Sequence, residues 1–167
     1  MTDLKDPDLK EIVEEFCNES DELIDLLYSS LDDFEETSNA QALEQFGQII
    51  DRIMGAAKSI GAQKTGQFSE LGKVIGYKSS QTNDPQLLKI THAVLSDNVN
   101  IVETLLKNIR KTQEEKVDGI NLEAFGSRLK WLSEKFKHIE RASVAIEQKK
   151  SQMDQSSIDD LLKNLGL

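Results

Sequence analysis

From Leu9 to Ile139 the apolar residues of this chain recur at intervals of three and four, and nowhere do they alternate as a half-buried strand requires. That rhythm restricts the chain to helices. Asp6-Pro7 and Asp84-Pro85 each place a capping carboxylate before a proline at the first helical position. After the first of these, Leu9, Ile12, Val13, Phe16, Leu23, Leu27, Leu31 and Phe34 predict one long helix to about Thr37. Ser38-Asn39 offers a turn and a cap for a second helix. Gly61 to Gly66 reads as a break. A shorter third helix follows with Phe68, Leu71 and Ile75, and its Gly72 and Gly76 would let a neighbouring backbone come close. Leu88, Leu95, Val99, Val102, Leu106 and Ile109 form the seam of a fourth helix, and Lys111 to Gly119 is a charged turn. Phe125, Leu129, Leu132, Phe136 and Ile139 mark a fifth, continuing to about Ile146. Antiparallel neighbours on short loops give an all-α bundle of about five helices over residues 1–146.

The chain has 167 residues, enough for one domain with a real core, and a formal net charge of −10. Nucleic acid and anionic membrane surfaces would be repelled, so neither is an expected partner. No apolar run approaches the roughly 20 residues of a membrane span, and the N-terminus is not a signal sequence, so the expected location is cytoplasmic. Cys17, the single cysteine, has no internal disulfide partner and reads as a structural thiol beside the first helix's stripe. His92 and His138 lack metal-ligand spacing and read as helix-surface residues, Trp131 as a packed edge residue, and the acidic side of the first helix as a solvated face. Neither a metal nor a cofactor is expected on the chain itself.

The second helix carries the sequence's main functional signal. Phe46, Ile50, Ile53, Ala57 and Ile60 share a buried stripe, and at about 100° per residue Glu44, Gln48, Asp51, Gly55 and Lys58 fall on the opposite side. Gly55 costs about 1 kcal/mol of helix propensity there. A partner surface that approaches closely would account for it; a solvated face with one tolerated glycine is the plainer alternative.

Residues 147–155 are polar and read as a linker. In 156–167, Ser157 and Asp160 form a capping-box-like start. Ile158, Leu161, Leu162 and Leu165 then stand at i, i+3, i+4 and i+7, the spacing of anchors for a helix laid in a groove. So short a helix is marginal alone in water. It must dock, either on its own bundle or, the favoured reading, on a partner protein.

The tail Asp154-Gln-Ser-Ser-Ile-Asp-Asp-Leu-Leu-Lys-Asn-Leu-Gly-Leu167 resembles the C-terminal peptide of the CheZ chemotaxis phosphatases and the N-terminal peptide of the FliM flagellar switch proteins, both of which bind the response regulator CheY. The resemblance implies that Ile158, Asp159, Asp160, Leu161, Leu162 and Leu165 dock on a CheY-type receiver, aliphatic residues supplying area and carboxylates facing a basic rim. Over roughly Leu9 to Ile109 the chain also resembles histidine phosphotransfer (Hpt) domains. Asp51-Arg-Ile-Met-Gly-Ala-Ala-Lys-Ser-Ile-Gly61 is similar to their phosphoacceptor motif, with Gly55, Ala57, Ile60 and Gly61 matching. Asp51 stands where that family has its histidine and Met54 where it has lysine, so phosphohistidine chemistry is ruled out here. What the resemblance still implies is a helix face, Asp51, Gly55 and Lys58, shaped to meet a receiver.

Glu44-Gln-Phe-Gly-Gln48-Ile-Ile-Asp-Arg52-Ile-Met54 is similar in spacing to the CheZ catalytic helix, in which Asp-x-x-x-Gln carries the chemistry. By that resemblance Gln48 would orient a water in line with the receiver's aspartyl phosphate and Glu44 would pair with the receiver's lysine, with Mg²⁺ held by the receiver. Topology argues against membership of the CheZ family proper: there the linker follows the catalytic helix, whereas here three more helices intervene. Three functions are therefore in view: a CheZ-like phosphatase, a non-catalytic pseudo-Hpt adaptor or sink for the receiver, and a helical structural protein whose tail folds back. Pairing of two copies of the chain is left open.

Overall fold

The computed structural model describes residues 3–143 and 151–167, with side chains described for 3–138 and 158–167. Both Asp-Pro signals open helices. Asp6 accepts a hydrogen bond from the Asp8 amide and starts a 3-10 turn, Pro7–Leu9, which runs into α1, Lys10–Thr37. Asp84 accepts from the amides of Gln86 and Leu87 at the start of α4, Pro85–Thr112. Asn39 caps α2, Ala40–Ser59, by accepting from the Gln41 amide at 2.9 Å. The remaining helices are α3, Gln63–Ser79, α5, Leu122–Ser143, and α6, Ser151–Asn164. The described residues are helical with no strand. No helix among them is long and apolar enough to cross a membrane.

In the core, α1, α2, α3 and α4 pack in a closed ring, each against the next and α4 against α1. The α5 helix runs along α4, and α6 lies between α3 and α5. This places α3 at the centre of the molecule, with neighbours on several sides. Phe68 of α3 meets the ring of Phe125 on α5 at 6.3 Å, and Lys78 of α3 lies 5.8 Å from the Phe136 ring.

That central position explains a difference from the sequence reading. The third helix was expected to begin near Phe68 after a glycine break, yet α3 begins at Gln63 and contains Gly66. Past its first residues, only a narrow, half-buried side of α3, which includes Gln67, Glu70, Val74 and Tyr77, reaches water. Its wide packed side includes Gly66, Ser69, Gly72 and Gly76, small residues that blur the apolar stripe marking a surface helix. The turn before it is short because Gly61, at φ +85°, closes α2 in a Schellman arrangement: the Ala62 amide donates to the Ala57 carbonyl at 2.9 Å. Glu115, in the α4–α5 loop, then caps α3 from outside, accepting from the Thr65 amide at 2.6 Å and the Thr65 hydroxyl at 2.8 Å.

Gly72 and Gly76 admit close neighbours, as their spacing suggests. A Cβ at Gly72 would sit 2.3 Å from Asn98 Oδ1 and 2.8 Å from Ile50 Cδ1, and one at Gly76 would sit 3.2 Å from the Leu43 carbonyl oxygen. Asn98 is fully buried and donates through Nδ2 to the Phe68 carbonyl at 2.9 Å, joining α4 to α3. The seams of α1, α4 and α5 are buried largely as expected, although Leu9 and Leu88 are half-buried and the Ile139 side chain lies outside those described; one residue departs outright. Ile12 is 48% exposed, because Val13 and Phe16 hold the inward direction of the first turns of α1. Cys17 is buried, and burial pushes its thiol pKa up, so it is an unreactive core residue. Trp131 is exposed, with the Lys135 ammonium 5.2 Å from its ring. His138 is exposed, while His92 stacks on Phe34 with ring centroids 6.3 Å apart. Residues 144–150, which hold the expected end of the fifth helix at Ile146 and the start of the 147–155 linker, lie outside the described residues. The rest of that linker, from Ser151, is helical, so α6 begins ahead of the Ser157 capping site.

Candidate functional site

The α2 helix is held by a wholly inward stripe: Leu43, Phe46, Ile50, Ile53 and Ala57 are fully buried. Burial of each large aliphatic or aromatic side chain contributes about 1.5–3 kcal/mol, so this helix is a fixed support rather than a mobile one. Its opposite side is the line foreseen from the sequence. Glu44, Gln48, Gly55 and Lys58 are exposed and Asp51 is half-buried.

The five residues differ in what they already hold. Asp51 accepts an ion pair from Lys73 of α3 at 2.9 Å. The Lys58 ammonium meets Glu70 of α3 at 3.0 Å, and its stem covers Gly66, where a Cβ would lie 2.7 Å from Lys58 Cγ. These contacts fasten α2 to α3 across the surface; each such exposed pair contributes about 0–1 kcal/mol. Among the described residues, Glu44 and Gln48 make no side-chain hydrogen bond or ion pair. A Cβ added at Gly55 would meet nothing within 4 Å, so no contact among the described residues calls for a glycine there. Glu44 and Gln48, one turn apart, therefore present an uncommitted carboxylate and an uncommitted amide, with open backbone two turns further on. An amide cannot act as a general base; it can orient a water. A carboxylate beside it can take a cation from a partner.

The tail residues are also together, on another side of the molecule. Ile158, Leu161 and Leu162 are buried, at 1%, 6% and 4% exposure, in the crevice between α3 and α5, and Leu165 is half-buried. Of the two docking alternatives that the sequence leaves open, the structure has α6 on its own bundle. Asp159 is held there by Lys137 of α5 at 3.1 Å and by the Ser133 hydroxyl, which donates to Asp159 Oδ1 at 3.1 Å. The pair with Asp159 keeps the Lys137 ammonium pKa above its ordinary value. Asp160 is exposed.

Four residues of this seat were not singled out in the sequence: Gly126, Ser133, Lys137 and Leu167. Gly166, at φ +74°, ends α6 in a second Schellman turn, in which the Leu167 amide donates to the Leu162 carbonyl at 2.8 Å. Leu167 is thereby turned against α5, its Cβ 3.4 Å from the position of a Cβ at Gly126. The Leu-Gly-Leu ending was the available signal for that turn. Nothing local marks Ser133 or Lys137, because both are ordinary polar residues on a helix surface until α6 arrives.

Among the described residues no three of His, Cys, Asp and Glu converge as a metal site. Compared with known protein families, with curated proteins and with solved structures, the chain matches none.

Proposed function

We propose that this chain binds a CheY-type receiver domain, presents α2 to its phosphorylated aspartate, and accelerates loss of the phosphoryl group. One observation carries the reading. Among the described residues, Glu44 and Gln48 stand exposed and uncommitted on a helix whose other side is fully buried, and they lead to a glycine that no contact requires.

In the complex, the Gln48 amide holds a water in line with the phosphorus. The water oxygen bonds to phosphorus as the bond from phosphorus to the aspartate oxygen breaks. The electron pair of that bond stays on the receiver's carboxylate, and inorganic phosphate leaves with the water's oxygen. Glu44 takes the receiver's active-site lysine, and Mg²⁺, resident on the receiver, neutralises the transferring group. The rate gain comes from orientation, which places a reactant that otherwise arrives at random. The Ile158–Leu165 stripe of α6 supplies a second contact, and tethering raises the receiver's effective concentration at α2 without new contacts there.

The test is a titration of the isotopically labelled full chain with a CheY-type receiver whose aspartate carries beryllofluoride as a phosphate mimic. Amide shifts concentrated along Glu44–Lys58 are the expected result. Shifts confined to other helices, or none, would remove α2 as the docking face. Retained binding with no acceleration of phosphate loss would leave the adaptor.

A further inference from the structure

The three aliphatic residues that would anchor α6 on a receiver are the three buried against α3 and α5. The same face cannot be in two places. In this seat the exposed residues of α6, among those whose side chains are described, are the polar Asp159, Asp160, Lys163 and Asn164. The groove also answers the tail chemically. Lys137 and Ser133 take Asp159, so the groove offers the cation that a receiver's basic rim would offer, and Leu167 closes the far end on Gly126.

We infer that the α3–α5 groove is an internal competitor for α6: the tail is latched on its own bundle, and a receiver captures it only from the minority of molecules in which it has swung free. This inference rests on the receiver reading above and adds its regulation. Two features suit the groove to the task. Part of its hold is polar and at the surface, an ion pair and a hydroxyl on one carboxylate, so water replaces those contacts readily when α6 leaves. The tail's helix, marginal alone in water, also loses its order on release, and the conformational entropy gained lowers the cost of opening. A partner's apparent affinity is then its intrinsic affinity reduced by the fraction of chains that are open.

Geometry supplies the experiment. The Cβ positions of residues 126 and 167 are 3.4 Å apart, close to the lower end of the roughly 3.5–4.5 Å that a disulfide bridges. Cys17 is buried away from this pair and does not interfere. In the full chain carrying Gly126→Cys and Leu167→Cys, oxidation should staple α6 shut. Affinity for the beryllofluoride-bearing receiver is expected to fall at least tenfold on oxidation and to return on reduction. Equal affinity in both states would overturn the latch and leave receiver binding standing. Absence of binding in both states, and in the unmodified chain, would overturn the receiver reading and the latch with it.

Two measurements on single-site or unmodified chains guard against a staple that distorts the fold. Hydrogen exchange of the Ile158–Leu165 amides in the unmodified chain should be slowed at least tenfold relative to a free peptide of residues 151–167; exchange at the free-peptide rate would show the groove empty and end the inference. Lys137→Ala, which leaves α2 and the tail intact, should speed that exchange and tighten receiver binding together. Faster exchange with weaker binding would also overturn it.

Discussion

At the scale of single residues, some side chains hold the fold and others are held out by it. Gln48 belongs to the second group. Gln48→Ala should leave thermal stability within about 0.5 kcal/mol, as for an exposed helix position, while lowering receiver dephosphorylation on the order of 100-fold, the usual scale for losing the placement of a reactant. Unfolding melts and single-turnover decay on the same preparation check both halves. Gly55 and Gly72 make a contrasting pair. Gly55→Ala adds a methyl to open space and should stabilise the free chain by about 0.5–1 kcal/mol while weakening receiver binding. Gly72→Ala drives a Cβ into Asn98 and Ile50 and should destabilise by about 1–3 kcal/mol. Denaturant titration distinguishes the two. If Gly55→Ala binds the receiver unchanged, the open backbone on α2 has no role in docking.

At the scale of elements, the most exposed prediction concerns how α3 is started. Ala62 offers no capping side chain, and Glu115 from a distant loop does the work instead. Glu115→Ala should cost about 1 kcal/mol, with hydrogen exchange accelerated in the first turn of α3 ahead of the rest. The same helix shows where sequence reasoning reaches its limit. Asp6, Asn39 and Asp84 announce their helices because cap and helix are neighbours in sequence, and the seams of α1, α4 and α5 announce theirs because each has one wet side. The α3 helix has no local cap, only a narrow half-buried wet side, and a Gly66 in its first turns, so that stretch reads as a break. Likewise the exposed line on α2 follows from 3.6-residue periodicity alone. What Asp51 and Lys58 hold does not, since Lys73 and Glu70 come from another helix. The anchor spacing of α6 was legible, but its destination was not: an aliphatic stripe states that a groove exists, and only the packed bundle states whose groove it is.

At the scale of the whole molecule, the N-terminal segment is held by the buried Leu4 and tied to the α4–α5 loop through one carboxylate. Glu114 accepts from Lys116 at 2.7 Å and Lys5 at 2.6 Å, and these two ammonium groups lower its pKa from 4.5 to about 2. A depressed carboxyl pKa means that the contribution is complete above the unfolded value and drains away as pH falls through the folded one. The stability difference between the unmodified chain and Glu114→Gln should therefore shrink between about pH 5 and pH 2 and be flat above. The pair lies at the surface, within reach of solvent screening, so the difference is small, and the pH at which it vanishes is the informative quantity. A difference that persists unchanged at acid pH would mean that the clasp is not electrostatic.

The whole molecule also joins the two proposals, docking of a receiver on a fixed α2 face and release of α6 from its own groove to that receiver. The decisive measurement is the decay of a phosphorylated CheY-type receiver with this chain present in substoichiometric amount. The account predicts faster loss of phosphate over many turnovers, abolished by Gln48→Ala while binding persists. Decay at the receiver's own rate, with the chain demonstrably bound, would contradict it.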